Sequence, residues 1–229
     1  FMSGAIPKSY DKKINSFIKQ IKQEMPKLAT RQSSQKTLEI INNWVDQESS
    51  VLDLGCGKGE ILLNLISSKD IKAVGVEIDG SNINECITSG VNVIEQNIDE
   101  GLDNFTDNSF DVVIMSQTIQ VLKDPKKALQ EITRIGNECI VTIPNFGHWR
   151  TRLSLLLTGK MPVTDPLPES WFDTPNIHLC SLEDFELLCS DTSIQIIKKI
   201  SFNSSGNSNI FTRAWPNLFG ASAIYKITK

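Results

Sequence analysis

The sequence predicts a doubly wound α/β domain, and three observations carry that prediction. Short, nearly continuous apolar runs alternate with helical segments from residue 50 to 144, and the first run ends in a glycine-rich turn. A length of 229 residues suits one large α/β domain with a small appendage. A hydrophobic fraction of 40% is ordinary for a globular core. With 23 Lys+Arg against 27 Asp+Glu the formal net charge is -4, so the chain lacks the basic footprint of a nucleic-acid binder. No apolar run approaches the roughly 20 residues that span a bilayer, so no membrane partner is expected. The opening FMSGAIPKSYDKK lacks the apolar core of a signal peptide, which leads to an expected cytoplasmic location. None of the five cysteines forms a CxxC pair, so neither a disulfide framework nor a metal site is expected.

Taken in order, residues 10–28 carry Ile14, Phe17, Ile18, Ile21 and Met25 at helical spacing, with Pro26 and RQSSQ to end the helix. Residues 1–35 therefore read as a helical extension and 36–229 as the domain. A second helix is expected at about 36–45, with Leu38, Ile41, Trp44 and Val45 on one face. VLDLG (51–55) is the first strand, EILLNLIS (60–67) a helix and AVGVEID (73–79) the second strand. A short helix around 82–88 leads to VNVIEQN (91–97), then FDVVIMS (110–116), a helix over 125–134, and CIVTIP (139–144). From 145 to 180 the pattern breaks into a stretch rich in Pro, Trp, His, Asp and Asn with little periodicity, which reads as a long functional loop. SLEDFELLC (181–189) opens a helix with Ser181 as N-cap and Asp184 as its capping-box partner. Strands at about 194–202 and 221–228 complete the sheet.

The glycine turn is Asp53-Leu-Gly55-Cys56-Gly57-Lys-Gly59-Glu60, placed between a strand and a helix. Alternate glycines let the backbone approach a ligand and adopt positive φ. The dinucleotide pattern needs glycine at 60, where Glu60 stands, and the G-K-[ST] ending of a P-loop is missing. A pyrophosphate would meet Asp53 and Glu60, against the anion-binding logic of the turn. Flanking carboxylates suit a cation instead, and S-adenosylmethionine (SAM) carries an ammonium and a sulfonium and no phosphate. Glu77, 20 residues past Gly57 at the end of the second strand, is placed to accept from ribose hydroxyls. Asn97 and Ile98, closing the third strand, would flank the adenine. The expected cofactor set is Asp53, Gly55, Cys56, Gly57, Glu77, Ile78, Asn97, Ile98 and Ser116, holding SAM or its product S-adenosylhomocysteine.

DLGCGKGE, GVEID and the fourth strand resemble the class I SAM-dependent methyltransferases. More narrowly, residues 36–228 resemble the MetW family of methionine biosynthesis through NIDEGL, FDVVIMSQTIQ, IPNFGHWR, WFDTPNIHLCSLEDFE and RAWPNLFGASAIY. The chain departs from that family in two places: Gln96-Asn97-Ile98 stands where it usually has G-D-L, and the resemblance does not extend to the first 30 or so residues. The resemblance implies a Rossmann-like, mostly parallel seven-stranded sheet with an antiparallel last strand. It implies SAM binding, and a role beside the homoserine O-acyltransferase of methionine synthesis.

Methyl transfer needs alignment of a nucleophile more than a base. The two histidines, His148 and His178, both fall in the irregular segment and are the candidate catalytic residues. Asn145, Trp149, Arg150, Trp171, Asp173 and Asn176 are the candidate acceptor pocket, with Arg150 able to hold a carboxylate bidentately. Ser116-Gln117-Thr118 replaces the [DN]-P-P-[FY] motif that grips a flipped base, so the acceptor is expected to be a small molecule or a protein. Two function classes remain: a methyltransferase, or a SAM-binding accessory of the acyltransferase. The cysteines read as packing residues.

Overall fold

Seven strands form one sheet: β1 (Ser50–Leu54), β2 (Lys72–Glu77), β3 (Val93–Glu95), β4 (Phe110–Ser116), β5 (Gly136–Pro144), β6 (Gln195–Phe202) and β7 (Ser222–Thr228). This computed structural model describes residues 35–164 and 169–229. The helix expected over 10–28, and with it nearly all of the 1–35 extension, lies outside the described residues. The strands lie in the order β3-β2-β1-β4-β5-β7-β6. Strands β1 to β5 pair in parallel, and β7 runs antiparallel between β5 and β6. The expected sheet, with its antiparallel last strand, is the one observed.

The helices are α1 (35–44), α2 (Glu60–Ser68), α3 (Gly80–Thr88), α4 (Pro125–Ile135), α5 (Trp149–Thr158), α6 (Leu182–Asp191), α7 (Ile210–Ala214) and α8 (Pro216–Phe219). Alternation along the strands feeds two cores, one on each face of the sheet. On one face Leu52, Leu54, Val113, Met115 and Val141 pack with Leu129 and Ile132 of α4 and Phe185 of α6. On the other, Val51, Val112, Ile114 and Ile140 pack with Ile41 and Trp44 of α1 and Leu62 and Leu65 of α2. Each fully buried Leu or Ile contributes about 1.5–3 kcal/mol relative to exposure. Ser181 and Asp184 form a reciprocal capping box at the start of α6, as their spacing predicts.

The largest departures from the sequence reading concern the third strand, the fifth strand and the stretch after it. The third strand is shorter, because Val91 N–H closes on Cys86 O at the exit of α3 and Asn97 caps a 3-10 turn over Ile98–Glu100. The fifth strand begins at Gly136, where a β-carbon would lie 2.6 Å from Val113 Cγ2, so only glycine carries the strand so close to β4. The stretch from 145 to 180, read as a loop, contains the ten-residue helix α5.

Candidate functional site at the carboxyl ends of the strands

The strand order reverses between β1 and β4, and the glycine turn emerges at that switch point, where open α/β sheets bind ligands. Gly55, Gly57 and Gly59 all have positive φ (74°, 54° and 79°). Gly55 N–H and Cys56 N–H both donate to Val76 O, at 2.8 and 3.1 Å, which pins the turn to β2. α2 then starts from Gly59, with Glu60 in its first turn.

Asp53 shares the side-chain parity of Val51, so its carboxylate enters the face covered by α1 and α2. It is 1% exposed, and no donor among the described residues reaches either carboxylate oxygen. Burial, and secondarily the charge of Glu77, push its pKa up to about 7. Glu77 ends β2 and accepts from Gly57 N–H (2.8 Å) through one oxygen and from Ile78 N–H (2.8 Å) and Asp79 N–H (2.9 Å) through the other. Lone pairs remain on both oxygens for further donors. Ile78 is exposed beside it, while Asp79 caps α3 through Ser81 and Asn82 N–H. Cys56 is buried, its Sγ 4.0 Å from Cys86 Sγ. Asn97 accepts from Asp99 N–H and donates to Glu100 Oε1, and Ile98 packs half-buried against the core. Ser116 Oγ lies 3.0 Å from Thr142 Oγ1 at the end of β4.

This arrangement fits SAM. A buried carboxylate without a donor suits a cationic group, and a second carboxylate at the end of β2 suits ribose hydroxyls. Asp53 would hold the cationic end and Glu77 the ribose, and the bound molecule would supply an electrophilic methyl.

The acceptor candidates divide between two depressions. His148, buried at the N-cap of α5, lines one of about 270 Å³ with Trp149, Arg150, Asn203 and Phe211. The Arg150 guanidinium sits 5.5 Å from the Trp149 ring centre. Trp171 and Asn176 line the other, about 280 Å³, with Phe146, Met161 and Leu179. His178 is exposed against the loop after β4, its ring nitrogen 3.4 Å from Lys123 O. Asp173 is exposed. Asn145 is fully buried and braces the chain, donating to Asn217 O and Gly220 O and accepting from Gly147 N–H. These bonds tie the end of β5 to the turn before β7.

Three residues outside the expected set pack just after β4, on the side of the glycine turn. Gln117 adopts φ 56° and donates its N–H to Thr142 Oγ1 at 3.0 Å. Thr118 lies against Gly55. Gln120 is buried, donates through Nε2 to Gln117 O, and accepts Ile177 and His178 N–H on its backbone oxygen. Their position immediately after the fourth strand is the signal that marks them.

The family model of methionine biosynthesis protein MetW matches residues 35–227. Over 195 residues the chain is 28% identical to a bifunctional methionine biosynthesis protein MetXA/MetW of Rhodopirellula baltica, covering 81% of this chain and 31% of that protein. The chain thus spans about a third of that relative's length. A SAM-dependent methyltransferase of Thermotoga maritima superposes with a TM-score of 0.62 at 20% identity, over 94% of this chain and 95% of that one. Another from Mesorhizobium loti gives 0.63 at 12% identity, over 86% and 98%. These likenesses are of fold: the mostly parallel sheet with its antiparallel last strand is the one those structures share.

Proposed function

We propose that this chain, which belongs to the methionine biosynthesis protein MetW family, binds SAM at the glycine turn and works as a methyltransferase in methionine biosynthesis. The observation that carries the reading is Asp53, a buried carboxylate at the switch point with no donor for either oxygen among the described residues. Glu77, hydrogen-bonded to the turn at Gly57, holds the two halves of the cofactor site together. Residues 36–229 serve as the methyltransferase domain, with 1–35 an extension of it.

A second reading rests on α5. This helix buries only Thr151, while Leu156 and Leu157 are 81% and 73% exposed, and Trp171 and Phe172 are exposed as well. Large apolar patches on soluble proteins mark contacts with other proteins. The R. baltica relative is a bifunctional MetXA/MetW protein. In this reading the chain is a SAM-binding accessory whose apolar surface meets a homoserine O-acyltransferase.

Titration calorimetry with SAM tests the shared premise. Gly57→Val and Glu77→Ala are expected to abolish binding, and unchanged affinity in both would remove the site assignment. Incubation with labelled SAM, cell extract and the purified acyltransferase then separates the readings. Label transfer to any acceptor sinks the purely accessory role, and co-elution without transfer sinks the enzyme.

A further inference from the structure

Gln120 sits in the 3-10 turn Ile119–Val121 that follows β4, two residues beyond the Thr118 side chain that touches Gly55. Its hydrogen bonds fix which half of the amide is which. Nε2 donates to Gln117 O at 2.8 Å, so the nitrogen is the half facing a carbonyl and Oε1 the half left over. The residue is 4% exposed, and Oε1 has no donor among the described residues. The backbone oxygen of Gln120, by contrast, takes two N–H groups, from Ile177 and His178, both at 3.0 Å. A buried acceptor left unmatched on a residue whose side-chain nitrogen and backbone oxygen are paired calls for a partner that arrives from outside the chain. Gln120 thus ties the loop beside Gly55 to segment 176–178, whose Asn176 and Ile177 line the depression that holds Trp171.

We propose that Gln120 is a specificity-determining contact of the crevice: its Oε1 accepts a hydrogen bond from an N–H or O–H group beside the cofactor's sulfonium. This rests on the SAM-binding reading above. An amide oxygen offers lone pairs and no proton. It favours amine or hydroxyl acceptors over carboxylates, and it orients a donor without acting as a base. Asp53 meets a cation by charge, whereas Gln120 selects by hydrogen-bond polarity.

The test compares two probes in calorimetry. S-Adenosylhomocysteine carries no donor at the sulfur, whereas sinefungin carries an amine where SAM has its methylsulfonium. In the parent chain sinefungin is expected to bind more tightly than S-adenosylhomocysteine. Gln120→Met, which keeps length and removes polarity, is expected to cut that ratio by about tenfold or more. Gln120→Glu, which keeps an acceptor and adds a negative charge facing the amine, is expected to raise it, and it decides the matter if the Met variant fails to fold. A purely structural role, or an ordered water on Oε1, would change both affinities together and leave the ratio unmoved, which overturns the inference. Failure of the parent chain to bind either probe would instead overturn the SAM reading, and this inference with it.

Discussion

Gly55 and Thr118 touch across the floor of the crevice: a β-carbon on residue 55 would lie 2.6 Å from Thr118 Oγ1 and 2.8 Å from its Cγ2. Thr118 cannot swing away freely, because its hydroxyl donates to Ser116 O at 3.1 Å. Gly57 has a similar left-handed backbone but meets nothing within 4 Å. The pair of substitutions therefore separates backbone strain from collision. Gly57→Ala is expected to cost about 1 kcal/mol of strain. Gly55→Ala adds the collision, for about 3 kcal/mol in all, a fall of roughly 6–12 °C in Tm for a chain of this size. Thr118→Ala should recover the difference in the Gly55→Ala background. Equal melting losses for the two single variants would show that the contact is soft.

Asp53 ties cofactor affinity to pH. Its unliganded pKa of about 7 means that a cation is met by a full carboxylate only above neutrality. Affinity for SAM is expected to level off above pH 7 and to weaken by up to about tenfold per unit below it. The stability of the unliganded fold runs the opposite way. An acid whose folded pKa is raised favours the fold when protonated, so its contribution is complete below about pH 4 and is lost as pH rises through 7. Over that window the loss is about 4 kcal/mol as an upper bound. Asp53→Asn should then raise unfolding free energy at pH 8, flatten the affinity profile and weaken SAM binding. Urea melts at pH 6 and 8, with calorimetry across the same range, read all three effects. A pH-independent affinity in the parent chain would contradict the assignment.

The thiols should be unreactive in the folded chain. Cys56, Cys86, Cys139 and Cys189 are buried, and burial pushes all four upward, Cys189 to about 12. Reactivity follows the thiolate. Ellman's reagent is expected to label at most Cys180 quickly, with the remaining four appearing only in denaturant. If SAM changes the labelling of Cys56 alone, the glycine turn opens in its absence.

How far this fold could be read from sequence depended on whether a residue's neighbours lie along the chain or across it. Val51, Leu52 and Leu54 announce a buried strand by their own pattern, and Ser181 announces Asp184 by spacing. The glycine turn and Glu77 were legible because 20 residues is the length of a strand–turn–helix unit. α5 was not, since its apolar residues face outward and trace no stripe toward a core. The bracing role of Asn145 was not legible, because its partners Asn217 and Gly220 lie more than seventy positions away. Gln120 had only its place just after the fourth strand to mark it: what distinguishes it is an atom without a partner, and only the folded chain shows that.

α5 supplies the last test. Leu156 and Leu157 are among the most exposed large apolar side chains of the described residues, so replacing them removes little packing within the chain. Leu156→Asp is expected to change unfolding free energy by no more than about 0.5 kcal/mol, the ordinary range for surface substitutions. If the helix is the contact with an acyltransferase, the same change places an unpaired charge in that interface. Co-elution of the two proteins should then be lost, since a desolvated lone charge costs several kcal/mol. SAM affinity should stay as it was, because the site at Asp53 is built from other elements. A variant that melts much earlier than the parent would show instead that α5 packs on its own chain, and a variant that still co-elutes would move the interface elsewhere.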